Sequence, residues 1–475
     1  MPASANRRPP SALRGSGGRG SVGALIGSFL AHRFRRGDGF VNPVAKFCPW
    51  PRPPGPIPRR SWWYLMAKIR RFFLTETTPM SRIRENRIDL VRGLSLLLIF
   101  VDHANVSFSE ALQQSRGFSD AAELFVMMAG MSAALAYHPA TGRPDLWSVA
   151  RRTLRRSLEL YRVHLMLFAG LVTALVLLPL PHHETILAYW SLDLIAAEPL
   201  RYAGEALLLR YLPAELDILP LYIVLIAAIP LFFAVIDRSL HLALAASATL
   251  WLAAGLLHLN VTDLASRKDV WYFGPFSWQL VFVIGLVAGL RVRRGQPAFP
   301  HVRPLFLAAL AFSLLAVPAN LFVHFMGLKD QPVLHLLLSK TSEGPLRLIN
   351  ALAIVYVVFN LDALKRLSPE GWLRPVFAAG RNSLPIFVLG AILSDTITVL
   401  VIGTGGLPLW LDLSVIAVGV ALQLAFSLYR DRARRGPFGQ PQRSLMVASE
   451  ADHDYGYRKD TGTPAIDDAA RKPAT

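Results

Sequence analysis

The sequence holds a single cysteine, Cys48. One cysteine excludes an internal disulfide and any cysteine-cluster metal site, so no metal centre is expected. Cys48 sits in a Pro- and Arg-rich stretch with no apolar or His-bearing frame, which argues against thiol catalysis. Charge is scarce as well. Only 17% of the 475 residues are charged and 53% are hydrophobic, against roughly 25% charged in an average soluble domain. A soluble chain this apolar has too few polar residues to cover its surface. Acidic residues are the rarer sign, 32 against 50 Lys and Arg, leaving a net charge of +18. No nucleic-acid recognition motif accompanies that excess. Residues 1–87 hold 17 Lys and Arg against Asp38, Glu76 and Glu85, and the rest of the excess lies in short loops. Anionic membrane lipid is therefore the expected partner, and nucleic acid is not. There is no short-period repeat, and no duplication of halves such as many transporters show.

What the sequence does have is apolar runs separated by short Arg-rich or acidic stretches. A bilayer core of ~30 Å needs about 20 apolar residues per crossing. With no water there, the backbone must satisfy itself, so the runs are expected to be helices. The reading is an all-α, polytopic integral membrane protein of about ten transmembrane helices with both termini cytoplasmic. The spans are placed at 89–107, 120–137, 160–181, 217–236, 240–258, 276–290, 304–325, 345–361, 383–402 and 409–429.

The loops test this count. The loop after the second span carries Arg143, Arg151, Arg152, Arg155 and Arg156. The next is acidic, with Glu184, Asp193, Glu198, Glu205, Glu215 and Asp217 against Arg201 and Arg210. Basic loops return at 291–303, at 362–381 and after 430. Every strongly basic loop falls on one side, as the positive-inside rule demands.

Three regions follow: a disordered basic arm at 1–80, a membrane domain at 81–430, and a disordered cytoplasmic tail at 431–475. Residues 22–30 are apolar but broken by Gly and Ser, and read as neither signal peptide nor span. Residues 61–74 mix aromatics with Lys and Arg, as an interfacial helix does. Met66 and Met80 are alternative starting points for the chain.

Ionisable residues inside a span are costly, so each is a candidate site. The first span carries Asp89, Arg92 and His103. Arg92 and His103 are eleven apart and lie within ~20° of each other on a helix, and Asp89 is about 40° off the same line. The rise from Arg92 to His103 is roughly 16 Å, half the bilayer core. Moving an acyl group onto a hydroxyl needs a base, and neutral imidazole suits that role near neutral pH. An anionic donor wants an Arg where it enters. Asp102 adjoins His103 but points ~100° away.

The run Arg87-Ile88-Asp89-Leu90-Val91-Arg92-Gly93 through His103 resembles the first-helix motif of the acyltransferase-3 superfamily. The stretch Gly117-Phe118-Ser119-Asp120-Ala121-Ala122-Glu123 resembles the start of the second helix of the OpgC family. Leu216-Asp217, Trp278-Gln279 and Gly380-Arg381-Asn382-Ser383 are similar too, so the resemblance covers about 89–430. It implies a bacterial inner-membrane succinyltransferase acting on osmoregulated periplasmic glucans or another envelope glycan. No cofactor stays bound in that reading; acyl-CoA, as succinyl-CoA, is the co-substrate. The catalytic set is His103, Asp120 and Glu123, the donor site Asp89 and Arg92, and the glycan site Asp217, Trp278 and Gln279.

Plainer readings stand beside these. His103 can be a polar residue at the membrane surface, and Asp89 with Arg92 a satisfied ion pair. Asp120 and Glu123 can orient the imidazole, bind sugar, or simply favour a helix N-terminus. Trp190, Trp271, Tyr272 and Trp278 fit an interfacial aromatic belt. Arg162 fits a snorkelling residue and His164 a packed one. A transporter or flippase whose polar stripe lines a permeation path is the alternative function, and a non-catalytic scaffold is the third.

Overall fold

A computed structural model describes residues 85–435, apart from 178, 214–215 and 267–268. The arm expected at 1–80, with Cys48 and the interfacial segment 61–74, and the tail beyond 435 lie outside these residues. Among the described residues the fold is helical, with one isolated bridge between Thr262 and Val270.

The helices run α1 Asn86–His103, α2 Ser109–Gln114, α3 Ala121–Tyr137 and α4 Leu146–Leu177. Three short ones follow, α5 His183–Tyr189, α6 Asp193–Ala197 and α7 Pro199–Leu207. Then come α8 Ile218–Ala227, α9 Ile229–Ile236, α10 Leu240–Leu257, α11 Pro275–Arg293 and α12 Arg303–Phe325. The remainder are α13 Pro332–Leu338, α14 Pro345–Asn360, α15 Asp362–Lys365, α16 Arg374–Arg381, α17 Ser383–Thr404 and α18 Leu409–Arg435.

Each expected span falls on a helix, or for 217–236 on the pair α8–α9. Six helices (α4, α10, α11, α12, α17 and α18) are long and apolar enough to cross a membrane. They make the chain a membrane protein. The pair α8–α9 is bent by 48° and adds a seventh if it is one span. Pro230 in the first turn of α9 lacks the N–H that a continuous helix would need there. The apolar helices α3 and α14 are shorter, at 17 and 16 residues. α1 carries Arg87, Asp89, Arg92 and Asp102 within its 18 residues.

Burial separates centre from periphery. In α11, 78% of the apolar window is buried, against 17% in α10 and in α12. The outer helices present Leu and Phe outward, as Leu305, Leu314, Leu315 and Phe322 do on α12. Around α11 pack α3, α10 and α8, and α1 joins α3 to α16 and α17. Glycines set the two closest approaches. A Cβ at Gly285 would overlap the carbonyl oxygen of Met127, and one at Gly130 that of Phe282. A Cβ at Gly380 would overlap Asp89 O, and one at Gly93 would overlap Val376 O. Small residues of this kind let helix backbones touch where the solvent offers no hydrophobic drive.

Three segments expected as loops are ordered. α4 begins at Leu146, so Arg151, Arg152, Arg155 and Arg156 lie on helix. Val149, Thr153, Ser157, Leu160 and His164 form its buried stripe at helical spacing. Second, the acidic stretch after α4 folds into α5–α7 around buried Ile186, Trp190, Leu192, Tyr202 and Tyr211. Tyr211 donates to Ser191 O at 2.6 Å, and Trp271 Nε1 donates to Leu209 O at 2.9 Å, tying this cap to the α10–α11 segment. Third, α16 occupies the expected loop 362–381, with Arg381 Nε 3.0 Å from Asp431 Oδ1 on α18. α18 itself runs five residues past the boundary expected at 430, to Arg435.

Candidate active site

α1 ends at His103 in the same end of the bundle where α3 and α8 begin. His103 Nδ1 lies 2.7 Å from Ile99 O. A carbonyl only accepts, so Nδ1 carries the proton and the neutral ring keeps its lone pair on Nε2. The ring is therefore oriented by the carbonyl one turn back in its own helix. Neighbouring Asp102 does not hold it; it pairs with Arg116 at 2.6 Å.

His103 lines a cavity of about 360 Å³ together with Asp102, Asp120, Asp217, Gln113, Tyr272 and Lys340. Its deeper wall is apolar, with Leu96, Ile99, Phe100, Ile218, Phe273 and Phe387. Leu96 is one turn from Arg92, so the cavity reaches along α1 towards the other end of the stripe.

Asp120 and Glu123 form a capping box at the start of α3. Asp120 Oδ1 accepts from Ala122 N at 2.9 Å, and Glu123 Oε2 accepts from Asp120 N at 3.0 Å. Their remaining oxygens meet two cations from the far side of the sequence. Asp120 Oδ2 is 2.6 Å from Lys340 Nζ and 3.2 Å from Arg347 NH2, and Arg347 also bonds Glu123 Oε1. Burial works against the charge on Lys340, yet the Asp120 carboxylate outweighs it and holds the ammonium above the ordinary lysine range. Helix capping and site membership thus coexist at Asp120. Glu123 is fully buried behind it and does not line the cavity.

Asp217 stands at the N-cap of α8, and its buried Oδ1 has no hydrogen-bond partner among the described residues. Arg92 sits deeper in the bundle. It bonds Ser132 Oγ at 3.3 Å and Ser383 Oγ, and its guanidinium lies 5.8 Å from the Phe125 ring centroid. Asp89 lies at the α1–α16 contact, its carbonyl against Gly380.

Trp278 and Gln279 are elsewhere. Trp278 is fully buried, with Phe273 edge-on at 4.8 Å and its Nε1 donating to Lys340 O at 2.8 Å. It holds the Lys340 backbone and does not face the cavity. Gln279 is spent in the α10–α11 contact, accepting from Ser247 Oγ at 2.5 Å and donating to Ser247 O at 2.8 Å. The structure therefore gathers His103, Asp120 and Asp217, sets Glu123 one layer behind, and leaves Asp89, Arg92, Trp278 and Gln279 outside the cavity lining. It adds Asp102, Gln113, Tyr272 and Lys340 to that lining, with Arg116 paired to Asp102 and Arg347 to Asp120 and Glu123. Among the described residues no cluster of His, Cys, Asp and Glu has the makings of a metal site.

The OpgC protein family model matches residues 84–435, about three quarters of the chain. The chain belongs to the OpgC family. The match begins just before α1 and ends with α18, so it spans every helix described. Membership points to an OpgC-like acyltransferase role. Neither the curated proteins nor the solved structures yield a match.

Proposed function

We propose that this OpgC family member is an acyltransferase-3-type enzyme of the bacterial inner membrane. It moves a succinyl group from CoA to a hydroxyl of a periplasmic glucan or other envelope glycan. The observation that carries this reading is His103, whose tautomer leaves Nε2 as a base on a cavity that also holds a lysine. Ten crossings with both termini cytoplasmic put that cavity at the periplasmic end.

In the reaction His103 Nε2 takes the proton of the glycan hydroxyl as its oxygen attacks the thioester carbonyl. The C–O bond forms and negative charge develops on the carbonyl oxygen, on a cavity wall that carries the Lys340 ammonium. The C–S bond then breaks, and the imidazolium returns its proton to the leaving thiolate. Asp120 fixes Lys340, Arg347 fixes Asp120, and Glu123 fixes Arg347, so these act as positioning residues. The apolar wall suits a thioester arm. Arg92 and Asp89, about one and two turns below it, serve the donor from the cytoplasmic side, and Asp217 accepts from the glycan. Trp278 holds the Lys340 backbone from behind, and Gln279 holds α10 to α11. Membrane lipid surrounds the exposed Leu and Phe faces.

Mass spectrometry of envelope glycans from cells with and without the protein tests the reading. Succinyl groups present only with the protein support it; identical glycans in both would overturn it.

A further inference from the structure

A second cavity, of about 300 Å³, adjoins the one lined by His103. The two share four residues: Gln113, Asp120, Tyr272 and Lys340. Their remaining linings differ in kind. The second cavity is faced by Gln114, Asn320, Lys329, Asp330, Ser339 and Thr341, from α2, α12 and the segment leading to α14. Donors and acceptors therefore alternate around it, where the first cavity has an apolar wall.

Two of its groups point to a ligand. Lys329 is half-buried, donates to Gln114 Oε1 at 2.8 Å, and has no carboxylate within ion-pair distance among the described residues. Asn320 is 5% exposed and donates to both Gln114 O and Gln114 Oε1, at 3.0 and 2.9 Å. Together they fix Gln114 at the cavity wall. A net anion site would need cations to spare. Lys340 and Arg347 are committed to Asp120, and Asp330 adds a negative charge. A sugar hydroxyl both donates and accepts, which is what a mixed lining of amides, hydroxyls, two carboxylates and the cations paired with or beside them matches. Tyr272, 44% exposed, offers a flat apolar surface at the junction of the two cavities. The volume lies at the small end of the usual range for ligand pockets, about 300–1,000 Å³.

We propose that this second cavity is the acceptor subsite, holding one neutral sugar unit so that its hydroxyl reaches His103 past Gln113 and Tyr272. The inference rests on the acyltransferase reading: the sugar unit sits in the polar chamber, while its reacting hydroxyl enters the first, where Asp217 accepts from it and the thioester lies along the apolar wall.

Two measurements on the purified full chain test it. Calorimetric binding of a short neutral gluco-oligosaccharide needs no chemistry, so it stands apart from the transferase reading. Binding to the wild type should weaken roughly tenfold in Lys329→Met and in Asn320→Leu, the loss expected for one or two hydrogen bonds. Lys329→Met keeps the apolar stem of a half-exposed side chain, so it reads the subsite even if Asn320→Leu fails to fold. In turnover with succinyl-CoA, the oligosaccharide KM should rise by the same factor with the donor KM held at the wild-type value. Binding without any succinyl transfer would keep the subsite and overturn the reaction. Equal binding by wild type and Lys329→Met, a rise in donor KM instead, or displacement by free succinate rather than by sugar would overturn the subsite.

Discussion

Removing Lys340 should do more than lower a rate. Its ammonium, on a side chain 15% exposed, lies 2.6 Å from the buried Asp120 carboxylate. Taking away one partner of a buried pair costs about 3–5 kcal/mol, because the other charge is left uncompensated. Arg347 remains on Asp120 and softens that loss. Lys340→Met is therefore expected to lower the amount of inserted protein together with activity. Asp120→Asn added to Lys340→Met should restore the amount but not the activity, as quantitative blotting beside a transfer assay would show. Restored transfer in the double variant would remove Lys340 from the reaction. Asp263 gives a pH test. It accepts from Leu212 N and Ala265 N, each at 3.0 Å, and burial pushes its carboxyl up to about 6. An acid raised by folding favours the fold while protonated. Its contribution is complete below about 4 and is lost as pH rises through about 6. Hydrogen exchange at Leu212 and Ala265 should accelerate across that window in the wild type beyond the change seen in Asp263→Asn. Matching pH profiles would contradict this.

Among the elements, α1 is pinned hardest where it crosses α16. Gly380→Leu should force the two backbones apart, at about 1–3 kcal/mol or more for overpacking. Gly255 on α10 has nothing within 4 Å of an added Cβ, so Gly255→Leu is the matched control. Thermal unfolding in detergent should drop for the first and hold for the second; equal drops would mean the contact is not what holds α1. Helix existence was legible because twenty-residue apolar runs have one viable solution in a bilayer. The stripe on α1 was legible because Arg92 and His103 repeat at helical angle. The partners were not. Lys340 and Arg347 meet Asp120 across more than 200 residues, and no local period encodes that. A signal existed, however. Arg116, Lys329, Lys340 and Arg347 are cations on the side expected to be acid, and each exception faces a carboxylate or a cavity. Trp278 and Gln279 show the converse. Residues shared with a motif proved to be packing, since their polar atoms are consumed by Lys340 O and Ser247.

For the whole molecule, the family match and the helices coincide at residues 84–435, so activity should need nothing before α1. Deletion through Pro79 is expected to leave insertion and glycan modification at wild-type levels; inactive protein present in normal amounts would show that the arm matters. Reporter fusions after Thr404 should read periplasm and those after Arg435 cytoplasm, because the Arg-rich helix ends lie together at the end opposite His103. The most direct measurement compares wild type with His103→Ala in liposomes supplied with succinyl-CoA and gluco-oligosaccharide, with protein amount and orientation measured in both. His103 ends α1 beside the loop, where Ala fits, so the variant should insert normally while transfer falls about 10²–10⁴-fold, as for loss of a general base. Wild-type rates from correctly inserted His103→Ala protein would contradict the assignment and return the stripe to a structural or transport role.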